Sequence, residues 1–160
     1  MGFGIGMDDV LSRYIDELAY FLTTGFVHGL CSAIESSFRI YVRALSTTAC
    51  NSGNAEFISI YTWLIKRLGL PKYLCLLNLL RQMRNTYHNN GVYYHPSKQM
   101  DTVSYRNITY VFQSGMIVDY RDAWKLLQFK MMPDVCKMLL DVVESTNLTN
   151  ITSSIVDPFV

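Results

Sequence analysis

From Val10 to Val42 an apolar residue recurs at every fourth position: Val10, Tyr14, Leu18, Leu22, Phe26, Leu30, Ile34, Phe38 and Val42. Leu11, Ile15 and Phe21 lie beside that row. Side chains four apart share one face of an α-helix, so the stretch reads as one long amphipathic helix or two nearly collinear ones. Gly25 and Gly29 fall inside it. Each costs about 1 kcal/mol relative to alanine in a helix interior, which predicts a bend or a close helix crossing there.

The remaining signals complete a mainly α chain. Ser46 to Gly53 is small and polar and reads as a loop. Asn54 suits the N-cap of a second helix carrying Phe57, Ile60, Tyr61, Leu64, Ile65 and Leu68, stopped by Gly69. Pro71 opens a third helix that turns Leu74, Leu77, Leu80 and Met83 to the core and runs on through Arg81, Arg84 and His88. Asn89-Asn90-Gly91 ends it. Val92 to Thr102 reads as irregular, with Pro96 in its middle. Val103, Tyr105, Ile108, Tyr110 and Phe112, then Met116, Ile117 and Val118, flank Ser114-Gly115 and predict a small β-hairpin before the last helix. That helix starts at Asp119 or Asp122 and carries Trp124, Leu127, Met131, Val135, Met138 and Val142 on one face, with Pro133 kinking or interrupting it. The expected layout is a single domain over 1–160, with an irregular tail over 146–160.

Composition narrows the function classes. Half of the 160 residues are hydrophobic and 13% are aromatic, enough for a core without covalent staples. A formal charge of +1 gives no global field for nucleic acid or an anionic membrane, so any RNA contact has to be a local patch. Cys31, Cys50, Cys75 and Cys136 are widely spaced and read as reduced core or near-core thiols. His28 and His95 lack companions at ligand spacing, so neither a metal nor a cofactor is expected. The start lacks the basic flank and apolar run of a secretory signal, and Gly6 replaces the Ser or Thr that favours myristoylation. No run is long enough to span a bilayer, which makes the expected setting cytoplasmic and leaves the sequons at Asn107, Asn147 and Asn150 unused.

The chemically pointed segment is Arg84-Asn85-Thr86-Tyr87-His88-Asn89-Asn90-Gly91. Arg84 and His88 project together from a helix, with Arg81 on the adjoining edge. An imidazole exchanges protons near neutral pH, and a guanidinium holds a phosphate or a developing phosphorane through paired hydrogen bonds. Asn85 adds amide donors and acceptors, and Asn89 could orient the imidazole. The same residues also suit a plain helix end, where His complements the dipole and Asn-Asn-Gly supplies a left-handed stop. Tyr93 and Tyr94 read as packing residues that could alternatively stack bases.

The run Leu80-Arg81-Gln82-Met83-Arg84-Asn85-Thr86-Tyr87-His88-Asn89-Asn90-Gly91-Val92-Tyr93 resembles the signature helix of the HEPN superfamily. Glu35-Ser36-Ser37-Phe38-Arg39-Ile40-Tyr41-Val42-Arg43-Ala44 resembles the long first helices of its bacterial and mobile-element members. The resemblance implies an antiparallel helical bundle, a homodimer, and in many members a metal-independent endoribonuclease of defence or toxin type. The family motif is Arg, a polar residue, three to five further residues, then His. Arg84 has the fitting neighbour, Asn85, but stands close to His88; Arg81 has the fitting spacing but is followed by Gln82. The resemblance therefore implies His88 as proton-transfer residue, Arg84 or Arg81 as phosphate holder and Asn85 as orienting residue, with Asn89 and Tyr93 on the substrate. The tyrosine that some toxin members place two residues after His is Asn90 here, so regulation through it is not implied. Two other functions stand beside the nuclease: a non-catalytic HEPN-like module that binds RNA, a second copy, a protein partner or an antitoxin, and an unrelated helical adaptor.

Overall fold

Residues 7–50, 55–95, 97, 100–145 and 151 are described in a computed structural model. The glycine-rich start, Asn54, Pro96, Asn147, Asn150 and all of the 146–160 tail except Ile151 lie outside the described residues. The chain is mainly helical, and its described residues include a two-stranded antiparallel sheet. No helix among the described residues is long and apolar enough to cross a membrane.

Helix α1 (Met7–Leu45) is a single helix through both glycines. Its second half supplies the core residues Val27, Cys31, Ile34, Phe38 and Val42 and packs on α2 (Phe57–Arg67) and α3 (Leu74–His88). The first half does something the periodicity does not distinguish: Leu11, Tyr14, Ile15, Leu18, Phe21 and Leu22 are all more than half exposed. A row of apolar residues reports a face, and whether that face meets the chain's own core depends on where the other helices end.

α2 begins at Phe57 with Glu56 in the N-cap position and no side-chain cap bond. Its end follows the sequence: Leu70 N–H donates to the Ile65 carbonyl at 2.9 Å and Gly69 N–H to that of Lys66 at 3.1 Å, with Gly69 at φ +74°. This pair of hydrogen bonds, set up by the left-handed Gly69, satisfies carbonyls that the helix leaves open. A 3₁₀ turn, Pro71–Tyr73, then starts α3. Leu77, Leu80 and Met83 are buried as expected, and Leu74 is partly buried.

The hairpin exists, with its turn elsewhere. Strands β1 (Met100–Tyr105) and β2 (Ile108–Gln113) pair with Tyr105 opposite Ile108, so the turn is Arg106-Asn107 and not Ser114-Gly115. Both turn residues have positive φ, 50° and 62°. Two left-handed residues form the turn whose twist matches that of paired strands, and Asn tolerates it without glycine's help. Gly115 (φ +86°) makes a second turn that returns Met116–Val118 to the end of α3. Tyr93 N–H donates to the Met116 carbonyl (2.9 Å), Gly115 N–H to Tyr93 (2.8 Å) and Val118 N–H to Gly91 (3.0 Å).

The last helical stretch is three pieces: α4 (Tyr120–Leu126), a π-helical segment over Leu127–Met131, and α5 (Met132–Val143). Asp119 is its cap, accepting from Arg121 N–H at 2.7 Å. Pro133 has no N–H for the carbonyl four residues back and its ring crowds that carbonyl, and the wider π turn is how the helix accommodates both. Leu127, Met131, Val135, Met138 and Val142 are buried, and Trp124 instead sits at the surface edge against Phe26 of α1, ring centroids 5.7 Å apart. All four cysteines are free. Cys31 is buried, whereas Cys75 and Cys136 are exposed rather than near the core.

Asp141 of α5 ties the last helix to the 3₁₀ turn, accepting from Lys72 Nζ (2.8 Å) and the Tyr73 hydroxyl (2.5 Å). The Lys72 bond, then the Tyr73 bond, hold its carboxyl down to about 2 from its ordinary 3.8. A carboxylate depressed by folding stabilises the native state above its unfolded pKa, and that contribution is lost as pH falls through the folded value. Thermal melts are therefore expected to show Tm falling between pH about 3.8 and about 2. Asp141→Asn should flatten that part of the profile, and an unchanged slope would show that the acid sensitivity lies elsewhere.

Candidate functional site

α1 and α3 run antiparallel, and their facing edges carry a polar seam. His28, Glu35 and Arg39 lie along one edge of α1, and His88, Arg84 and Arg81 oppose them in reverse order on α3. At one end the His28 and His88 rings sit 5.7 Å apart at 62°. His88 is exposed and His28 half-buried, so both imidazoles border solvent. Burial, then the charges of His88 and Arg84, hold the His28 pKa below its ordinary 6.5. His28 is accordingly neutral at pH 7 and able to accept a proton.

One step along, Glu35 clamps two guanidiniums. Oε2 accepts from Arg84 Nη1 at 2.9 Å, and Oε1 accepts from Arg39 Nη2 at 2.6 Å and Nε at 3.2 Å. Arg39 also donates to the Ala55 carbonyl at 2.8 Å, which fastens the chain entering α2 to the seam. Arg84 is a third exposed at its side chain, and its charge reaches His28.

Arg81 is not interchangeable with Arg84. It lies farther along, against the Tyr61 hydroxyl, whose pKa burial raises and Arg81 opposes by its charge and a hydrogen bond. Arg84 and His88 share the neighbourhood of His28, and Arg81 lines a separate cavity that also includes Arg84 and Asn85. Gln82 points away from the seam: it is buried and donates from Nε2 to Asp101 of β1 at 2.5 Å.

Two of the expected site residues are engaged within the chain. Asn89 donates from Nδ2 to the Asn85 carbonyl of its own helix (2.9 Å), which helps close the helix end. Tyr93 is 2% exposed, and its hydroxyl donates to Asp101 Oδ2 at 2.8 Å, so its ring offers no face to a base. The exposed aromatic of the pair is Tyr94, at 59%. The helix stop itself is as expected: Gly91 N–H donates to Thr86 (3.0 Å) and Asn90 N–H to Tyr87 (3.2 Å), with Asn90 and Gly91 left-handed.

His28 is the residue that sequence reasoning passed over. The available signal was the polar edge of α1, on which residues 28, 35 and 39 fall at helical spacing like 81, 84 and 88 of α3. Among the described residues no cluster of three His, Cys, Asp or Glu could hold a metal ion. Neither a protein family, nor a curated protein, nor a solved structure matches the chain.

Proposed function

We propose that the end of the α1–α3 seam is a metal-independent endoribonuclease site of HEPN-like type, working in a homodimer. The observation that carries this reading is the exposed His88 beside a second imidazole, His28, with the Arg84 guanidinium one helical turn away. Cleavage needs one group to take the proton of a ribose 2′-hydroxyl and another to give a proton to the departing 5′-oxygen. The 2′-oxygen then bonds to phosphorus as the phosphorus–5′-oxygen bond breaks, leaving a 2′,3′-cyclic phosphate and a free 5′-hydroxyl. Neutral His28 serves as acceptor, His88 as donor, and Arg84 stabilises the charge on the pentacoordinate phosphorus. The test is incubation of RNA with purified protein in chelator: cyclic-phosphate ends support the reading, and intact RNA or metal-dependent products overturn it.

The second copy is assigned to the exposed face of α1. Eight large apolar side chains between Val10 and Phe26 are 38% to 72% exposed. Together they present on the order of 800 Å², the share one partner gives to a standard-size interface. Gly25 and Gly29 continue the same face, with open space around the position of a Cβ, so a second helix can approach closely where His28 lies between them. Sedimentation should give a dimer for the native chain and a helical monomer for Leu18→Glu combined with Phe21→Glu. A native chain that sediments as a monomer removes the shared site from the proposal.

One observation favours the non-catalytic module instead: Glu35 already engages Arg84. On that reading the seam is a structural clamp, and the α1 face alone carries function.

A further inference from the structure

Among the described residues, strand β2 is paired on one side only, with β1. Tyr105 and Ile108, which flank the two-residue turn, exchange both of their backbone bonds, so every second residue of β2, Ile108, Tyr110 and Phe112, bonds to β1. The N–H and C=O groups of Thr109 and Val111 point the other way. No backbone partner meets them among the described residues.

That open edge borders an apolar groove of about 780 Å³, which shares no lining residue with the cavity beside the α1–α3 seam. Its size is that of sites that take a compact ligand, roughly 300–1,000 Å³. Five consecutive residues, Ile108 to Phe112, line it, so the strand presents its backbone as well as its side chains. The buried Leu79 and Met83 of α3 line the groove too, and Leu126 of α4 and Phe129 of the π-helical segment supply its other side. Phe129 is 69% exposed.

Two features decide what fills it. An alkyl chain laid along the groove would bury the outward amides of Thr109 and Val111 without partners, which is unfavourable, whereas an extended main chain answers their N–H and C=O groups together. The rim, moreover, is basic. Lys125 and Lys130 both line the groove; Lys130 has no carboxylate partner among the described residues, and Lys125 reaches Asp122 only at 4.0 Å with both side chains largely exposed. A second copy offering its own β2 would bring the same lysines against these. An acidic strand complements them.

We propose that this groove binds an acidic, extended peptide segment of a partner protein by strand addition. The segment runs along β2, exchanges main-chain bonds with Thr109 and Val111, turns alternate apolar side chains into the groove and sets its carboxylates beside Lys125 and Lys130. It adds a third strand to a sheet that is marginal with two. No residue of the imidazole seam takes part, so the site stands apart from the RNA reading.

The probe is a capped hexapeptide in which valine alternates with glutamate, titrated calorimetrically into the full chain. It should saturate one site per chain, and the analogue with lysine in place of glutamate should bind about 10- to 100-fold more weakly. N-methylation of alternate residues separates strand pairing from apolar burial without altering the protein. The set whose N–H groups face β2 should lose about 10- to 100-fold in affinity, and the other set should bind like the parent. Val111→Pro removes an outward donor at an edge position that tolerates proline, so binding should weaken about 10-fold while Tm stays near that of the native chain. Lys130→Glu, at an exposed position, should weaken the glutamate peptide and strengthen the lysine one. Failure to saturate at about 1 mM, or two N-methylated sets that bind alike, overturns the proposal. Decanoate binding that competes with the peptide and ignores Val111→Pro makes this an alkyl-carboxylate site and overturns strand addition. Self-association of the native chain that Val111→Pro abolishes gives the edge to a second copy and overturns the partner assignment.

Discussion

His88→Ala is expected to lower metal-independent RNA cleavage by about 10²- to 10⁴-fold, the usual contribution of a positioned proton-transfer group. The expectation rests on exposure as much as on chemistry. His88 occupies the last position of α3, and the stop that follows is built from backbone bonds of Asn89, Asn90 and Gly91 and the side-chain bond of Asn89. Removing the imidazole therefore breaks no cap bond, and Tm should move little. A large loss of rate with unchanged Tm separates the catalytic role from a capping role, in which the loss would appear in stability. His28 supplies the pH signature. Because its pKa is lowered by burial, then by His88 and Arg84, its neutral form persists to below pH 6.5 and the acid limb of kcat/KM should fall below that value. His28→Gln should remove that limb. Cleavage that persists in His88→Ala sinks the assignment even if the preparation degrades RNA.

What the sequence made legible, and what it did not, follows from the range of each signal. Helix stops are local: Gly69 and Asn89-Asn90-Gly91 act through bonds within a few residues, and both end their helices as read. A hairpin was legible from alternation, but its strands were misplaced: Val103–Phe112 read as one strand and Met116–Val118 as the other, because the Arg106-Asn107 turn that folds the first into two carries no glycine and Gly115 advertises a turn that serves a different pairing. The length of α1 was legible because periodicity is a property of one helix. The split between its buried and exposed halves was not, since it depends on where the other helices cover α1: the core residues Val27 to Val42 lie in its second half, while Leu11 to Leu22 stay exposed. The site shows the same division. Arg84 with His88 could be read from spacing along one helix, whereas His28 joins them across sixty positions through antiparallel pairing that no local pattern states. Arg81 and Arg84 stood as alternatives on motif spacing, and Glu35 and Tyr61, from two other helices, are what distinguish their surroundings.

Glu35→Gln is the change expected to act most strongly on the seam as a structure. The carboxylate is 16% exposed and accepts three bonds from two guanidiniums, one on its own helix and one on α3. Glutamine keeps the shape and removes the charge, leaving Arg39 and Arg84 partly buried without a counter-ion. Bonds to charged groups contribute about 1.5–3 kcal/mol each when buried. Solvent reaches a quarter to a third of each arginine side chain, so the total discounts to about 2–3 kcal/mol. For a domain of this length that lowers Tm by about 4–12 °C. The rate measured well below Tm then divides the two functional readings. If Arg84 holds the phosphate, releasing it from Glu35 leaves its charge available beside His28, and cleavage is kept or raised while stability falls. If Arg84 is only a staple, stability falls with no such effect on RNA. The double change Glu35→Gln with Arg84→Gln should recover part of the lost stability, because it removes the uncompensated charge along with its partner, and the recovered part measures their coupling. A Glu35→Gln protein that melts with the native one shows that the clamp contributes nothing to the fold, leaving Arg84 free to act on substrate without cost to the seam.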